Sequence, residues 1–162
     1  MNVESIPTIT RAGTRPEVMR RLFVNIPVSD LQRSIRFFEA LGFTFNRQLT
    51  DASATCMLVG ADVSIMLLST ERFLGISGRP LADARGTSSA WYALGVESRE
   101  AVSATVTRAL ECGASPADDP RDHGYMYAWS FYDPDGHHFE VFWMDPAPFR
   151  AHAPASRGPV KS

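Results

Sequence analysis

Residues 129–143 read WSFYDPDGHHFEVFW. Two runs rich in aromatic and β-branched residues flank Asp133-Pro134-Asp135-Gly136, a turn tetrad in which proline presets φ and glycine supplies a position with φ > 0. The pattern predicts a β-hairpin. Side chains two apart on a strand share a face, so His138, Glu140 and Phe142 point one way and Phe139, Val141 and Trp143 the other. Glu140 is a single acid in an apolar strand. It either meets water at a sheet edge or is held in a pocket for a purpose.

Outward from the hairpin, the chain reads as two copies of one unit. Residues 21–28 (RLFVNIPV) are extended, with Phe23, Asn25 and Pro27 on one face and Val24, Ile26 and Val28 on the other. Pro27 places this strand near an edge or at a strand end. Ser29 and Gln32 have capping-box spacing, Leu31, Ile35, Phe38 and Leu41 recur at helical intervals, and Gly42 is the expected stop. Residues 43–48, 54–59 and 63–68 read as strands, the last two separated by a turn at Gly60-Ala61-Asp62. Residues 70–89 carry several glycines and no sustained period, which reads as a linker serving as a lid or a packed loop. The pattern then restarts. Residues 91–96 are extended, Ser98 can cap, Val102, Val106, Ala109 and Leu110 form a stripe ending at Cys112-Gly113, and residues 125–132 and 137–143 are strands.

The halves align in register: Phe23 precedes Asp30 by seven residues as Trp91 precedes Ser98, and Met66 follows Gly60 by six as Glu140 follows Pro134. A repeated β-α-β-β-β unit predicts an α+β fold in which two modules join edge to edge into one curved mixed sheet with helices on its outer side. A curved sheet leaves a concave face.

Composition narrows the function classes. In 162 residues, 44% of them hydrophobic, there is enough for one good core or two small joined ones. A net charge of −2 and a pI near 6.1 give no electrostatic reason to expect nucleic acid or an anionic membrane. No apolar run approaches the ~18 residues of a membrane span, and the first residues lack the apolar core of a secretion signal. A cytoplasmic protein with flexible ends at residues 1–19 and 146–162 is expected. Cys56 and Cys112 lack metal-motif spacing and read as reduced, packed thiols. No phosphate loop or dinucleotide fingerprint is present.

FVNIPVSDLQRSIRFFEALGF near the start, FYDPDGHHFEVFW near the end and WYALGVESREAVSA between them resemble the vicinal oxygen chelate (VOC) superfamily, which includes glyoxalase I, bleomycin-resistance proteins, fosfomycin-resistance enzymes and extradiol dioxygenases. The resemblance covers residues 20–145, as module one (20–69), linker (70–89) and module two (90–145), and extends to a bacterial subgroup labelled glyoxalase-like or extradiol-dioxygenase-like. It implies a cup-shaped sheet and, in the superfamily's metalloenzymes, four inward-facing ligands. Carried onto this chain, those positions are Phe23, Met66, Trp91 and Glu140. Phe and Trp offer no lone pair and thioether sulfur suits soft ions, so no metal and no other cofactor is expected, and glyoxalase I or dioxygenase activity is called into question.

What remains is an expected aromatic-lined cup of Phe23, Asn25, Met66 and Trp91 with Glu140 at its base. Such a site suits a small ligand with a flat or apolar body and a cationic or hydrogen-bonding group. Two functions follow. One is a metal-independent small-molecule-binding protein of the bleomycin-resistance type, a homodimer because relatives form the cup in pairs. The other is an enzyme, a lyase, isomerase or dioxygenase relative using Glu140 with His138 or a metal bound elsewhere. Burial without a cation is expected to raise the pKa of Glu140 and fit it for proton transfer; as a relic, it would simply be hydrogen-bonded to a neighbour. His138 reads as a proton shuttle or a rim histidine in water. His137 faces the other way. His123 is either a solvated loop residue or a cover for the cup mouth with Tyr125 or Tyr127, and Arg121 is either an anion contact or neutralised by Asp118, Asp119 and Asp122.

Overall fold

The computed structural model describes residues 21–145 and residue 147. The ends expected to be flexible lie outside the described residues, Ala147 excepted. The first half runs β1 (Leu22–Val28), α1 (Leu31–Ala40), β2 (Thr44–Asn46), a 3₁₀ turn (Arg47–Leu49), β3 (Ala54–Leu58) and β4 (Val63–Ser69). After α2 (Thr70–Ser77), the second half runs β5 (Trp91–Gly95), α3 (Arg99–Glu111), β6 (Ser115–Pro116), β7 (Arg121–Asp122), β8 (Met126–Tyr132) and β9 (His138–Met144).

Each half forms a mixed sheet. The first has the order β1-β4-β3-β2 and the second β5-β9-β8-β6, with β7 also paired to β8. The pairs β1/β4 and β5/β9 are parallel and the rest antiparallel. The α+β class and the two βαβββ modules are therefore as expected. The expected single sheet is instead two sheets, with no ladder between them among the described residues. Both repeated first strands lie at edges, where Pro27 removes no needed ladder donor.

The modules join through one core. Ile26 and Val28 of β1, Ile65 and Leu67 of β4, Phe37 and Phe38 of α1, Val102 and Val106 of α3, and Phe131, Phe139 and Val141 of the hairpin are buried in one cluster. Helix α1 reaches both sheets: Phe37 meets Phe131 edge-on at 6.1 Å and Phe38 meets Phe139 at 5.4 Å. The apolar stripe read from the sequence thus packs against its own sheet and against the opposite module.

Three local readings change. The N-cap of α1 is Asp30, whose side chain accepts the Arg33 N–H at 2.9 Å; Ser29 is drawn away to Asp135. Residues 70–77, read as linker, form a helix capped by Ser69, with Glu71 in its first turn and Gly78 in the left-handed region at φ +64°. It buries no residue, so it carries caps without an apolar stripe. Strand β2 stops at Asn46 because that side chain accepts the Gln48 N–H and starts the 3₁₀ turn. Ser98, Gly42 and Gly113 act as read, the first as an N-cap and the glycines with φ of +92° and +106° after their helices.

Candidate functional site

Strand register fixes which predicted site residues share a face. In the first sheet Phe23 pairs with Ser64, Asn25 with Met66, and Met66 with Cys56. Phe23, Asn25 and Met66 therefore lie together on the face opposite Ile26 and Ile65. In the second sheet one row runs Trp91–His138–Tyr132 and another runs Ala93–Glu140–Ser130. Trp91, His138 and Glu140 thus lie together on the face opposite Phe139 and Val141. The two groups stand on separate sheets. Phe23 is 42% and Trp91 60% exposed, Asn25 is exposed, and Met66, His138 and Glu140 are half-buried.

Glu140 is flanked across the ladder by the small residues Ala93 and Ser130, and its carboxylate makes no hydrogen bond or ion pair among the described residues. The His138 ring lies 5.8 Å from Trp91 and 5.1 Å from Tyr132, and its buried Nε2 has no partner among the described residues. An acceptor and an imidazole on one face can serve proton transfer or ligand hydrogen bonding. The four positions implied for metal ligands bear a phenyl ring, a thioether, an indole and one carboxylate. A divalent ion needs about three protein ligands with lone pairs, so this donor set does not fit one.

The remaining candidates have local partners. Arg121 is paired with Asp118. His123 is exposed, its ring 6.5 Å from Tyr125. Tyr127 lies on the core side, its hydroxyl 3.3 Å from the Ser103 hydroxyl and its ring beneath Arg99. Trp129 also faces the core, its indole N–H donating to the Asp118 carbonyl at 2.9 Å, and Phe131 is buried. Both cysteines are free, Cys56 buried.

Reading the residues one by one missed the clasp formed by the two motifs. Asp135 reaches the start of α1, where its Oδ1 accepts the Ser29 N–H at 3.0 Å, the Ser29 hydroxyl at 2.6 Å and Arg33 Nη2 at 2.8 Å, while Oδ2 accepts the Ser34 hydroxyl at 3.2 Å. Burial alone would raise its pKa, but the Ser29 bonds and the Arg33 guanidinium hold it below the ordinary aspartate value. Asp133, two residues earlier, goes the other way. It is 3% exposed, and burial pushes its carboxyl up against the opposing pull of His137, although Oδ1 accepts the Asp135 and His137 N–H groups. His137, given no role in the sequence reading, crosses to β1 with Nε2 2.7 Å from the Pro27 carbonyl, where it donates as the Nε2–H form. The available signal was the pairing of SDLQRS with DPDG: both are polar motifs beside apolar strands, and a carboxylate facing a helix N-terminus satisfies both.

A pair of βαβββ modules sharing a core, each with an edge-strand β1 equivalent parallel to its last long strand, is the architecture of the VOC superfamily, also called the glyoxalase/bleomycin-resistance fold. Residues 20–60 match the family described as bleomycin resistance protein-like N-terminal. The hypothetical protein SA1046 from S. aureus is 28% identical, covering 76% of this chain and 93% of that one, with a TM-score of 0.68. A glyoxalase/bleomycin resistance protein/dioxygenase family enzyme from Burkholderia phytofirmans PsJN is 18% identical over 75% of this chain and 96% of its own, with a TM-score of 0.66. The fosfomycin resistance protein FosX from Mesorhizobium loti is 19% identical over 80% and 95%, with a TM-score of 0.57. No curated protein matches. The chain thus has the glyoxalase/bleomycin-resistance fold, and the family match lies within its first module.

Proposed function

We propose that the protein binds a small molecule in an aromatic-lined cup, without a catalytic metal, in the manner implied by the bleomycin-resistance-like match of its first module. The observation that carries this reading is the register. Phe23, Asn25 and Met66 share one sheet face and Trp91, His138 and Glu140 another, and both faces lie away from the core. Large rings left 42% and 60% exposed are suited to a flat apolar ligand, and Asn25 and Glu140 to its polar group. The same exposure supports a homodimer in which a second copy brings such faces together, since Leu58, on the face of Phe23, is also 42% exposed.

A second reading, an enzyme, is favoured by the uncommitted Glu140 carboxylate and His138 Nε2 on the same face. Three measurements decide. Metal analysis of protein purified without chelator should find less than one-tenth of an equivalent of zinc, nickel, manganese or iron; a stoichiometric ion would overturn the metal-free reading. A thermal-shift screen identifies a ligand through its stabilisation of the folded state. Glu140→Gln should then weaken that ligand about tenfold, in line with a lost charge-assisted hydrogen bond. Unchanged affinity with lost turnover would select the enzyme.

A further inference from the structure

Residues 79–90 carry the chain from α2 to β5, and part of this crossing is a built strap. The Asp83 carbonyl accepts the Gly86 N–H at 3.2 Å, the Thr87 N–H at 2.8 Å and the Thr87 hydroxyl at 2.7 Å, while Asp83 Oδ1 accepts the Arg85 N–H at 3.0 Å. This turn rests on the DPDG turn. Arg85 Nη2 donates to the Pro134 carbonyl at 3.2 Å, and a Cβ on Gly136 would stand 2.9 Å from Arg85 Cγ and 3.2 Å from the Ala84 carbonyl carbon. Gly136, at φ +94°, thus serves both the turn and the close approach of the strap.

Between strap and sheet lies a cavity of about 540 Å³, within the range of small-molecule sites. The strap contributes Arg85, Ser88 and Ser89, and the sheet contributes Tyr92, Tyr132 and His138. Tyr132 and His138 are neighbours in one ladder row, their rings 5.1 Å apart. Arg85 has no carboxylate partner among the described residues, and a guanidinium with free N–H groups matches a carboxylate in two-point geometry. Asp133 also lines the cavity, with Oδ1 bound to the Asp135 and His137 N–H groups and Oδ2 without a partner among the described residues, so an acid group in the cavity belongs at Arg85 and away from Asp133.

We propose that the strap cavity binds a small planar carboxylic acid, the carboxylate on Arg85 and the flat body against Tyr132 and His138. This site goes beyond the cup, with which it shares only His138. The serine hydroxyls of the strap add donors for the acid group, and the rings supply the apolar wall. An amide of the same shape keeps the flat body and loses the charge, which separates the two contributions.

The test uses the full chain, isotopically labelled, titrated with 2-naphthoate and with 2-naphthamide. The naphthoate should shift the backbone signals of residues 84–90 and of His138, and bind at least tenfold tighter than the amide. Arg85→Gln should abolish that preference and Arg85→Lys should restore part of it, with the signals of the core residues unchanged in both variants to show that the fold persists. Equal affinities for acid and amide, an undiminished preference in Arg85→Gln, or no binding at millimolar naphthoate would each overturn the proposal. Shifts confined to Phe23, Met66 and Glu140 would also overturn it while leaving the cup reading standing. Loss of the cup reading through a bound metal would leave the strap site untouched.

Discussion

On β1, β5 and β9 the two sides of the same strand have different surroundings. Ile26 and Val28 are 1% exposed and Phe139 and Val141 no more, whereas Phe23 and Trp91 on the alternate positions are 42% and 60% exposed. The closed side holds the modules together through α1, which inserts its rings between them. Phe23 and Trp91 take no part in that closure, so the core does not dictate their residue types. Phe139 and Ile26 are therefore evidence about the fold, while the exposed rings of Phe23 and Trp91 and the uncommitted Glu140 are the residues on which the proposed ligand site rests.

The closed side should be the most sensitive to truncation. Phe38 is wholly buried and touches the rings of Phe37, Phe43 and Phe139, two within its own module and one across it. Phe38→Ala should cost about 3–5 kcal/mol in chemical denaturation, through lost transfer energy and the cavity left behind. A cost below about 1 kcal/mol would mean that the cross-module core is not the element joining the halves.

A smaller effect is expected at the clasp. Asp135 is 8% exposed but Arg33 is 38% exposed, so solvent discounts the ion pair and the Ser29 and Ser34 bonds remain the larger part. Asp135→Ala should cost about 2–3 kcal/mol at neutral pH. Because its folded pKa is depressed, that stability is present above the unfolded aspartate value and is lost as the pH falls through the folded one. Asp133 has the opposite sign: its raised pKa means that ionisation costs stability as the pH climbs above the unfolded value and through the folded one. Carbon-detected titration of the two side-chain carboxyls should give a higher midpoint for Asp133 than for Asp135. The reverse order would remove the electrostatic account of the clasp.

The alternation that separates the two sides was legible in the sequence. Phe23 against Val24 and Glu140 against Phe139 fell on opposite faces by period alone, and the register bears this out. Helix α2 is not legible in the sequence, because it is marked by its caps alone and has no buried apolar stripe. The role of His137 was hidden for another reason: its partner is the Pro27 carbonyl, 110 residues away in sequence, and such pairings follow from tertiary packing rather than local pattern. The same holds for Ser29, whose local spacing predicted a cap but whose hydroxyl is taken by Asp135. Local rules were obeyed until a distant group offered a stronger partner.

Truncation on the open side should cost the folded chain least. Phe23→Ala and Trp91→Ala should each change the stability of the dilute protein by less than about 0.5 kcal/mol, since an exposed ring forfeits little on truncation. The result gains meaning when repeated at increasing protein concentration. If second copies cover these faces, the native protein should gain thermal stability with concentration, by mass action, and both variants should lose that dependence while keeping the dilute value. If the faces serve a ligand alone, concentration should change nothing and the variants should differ only when ligand is present. A loss above about 1 kcal/mol in dilute protein would show that the rings pack within one chain, and the division between a closed and an open side would fail.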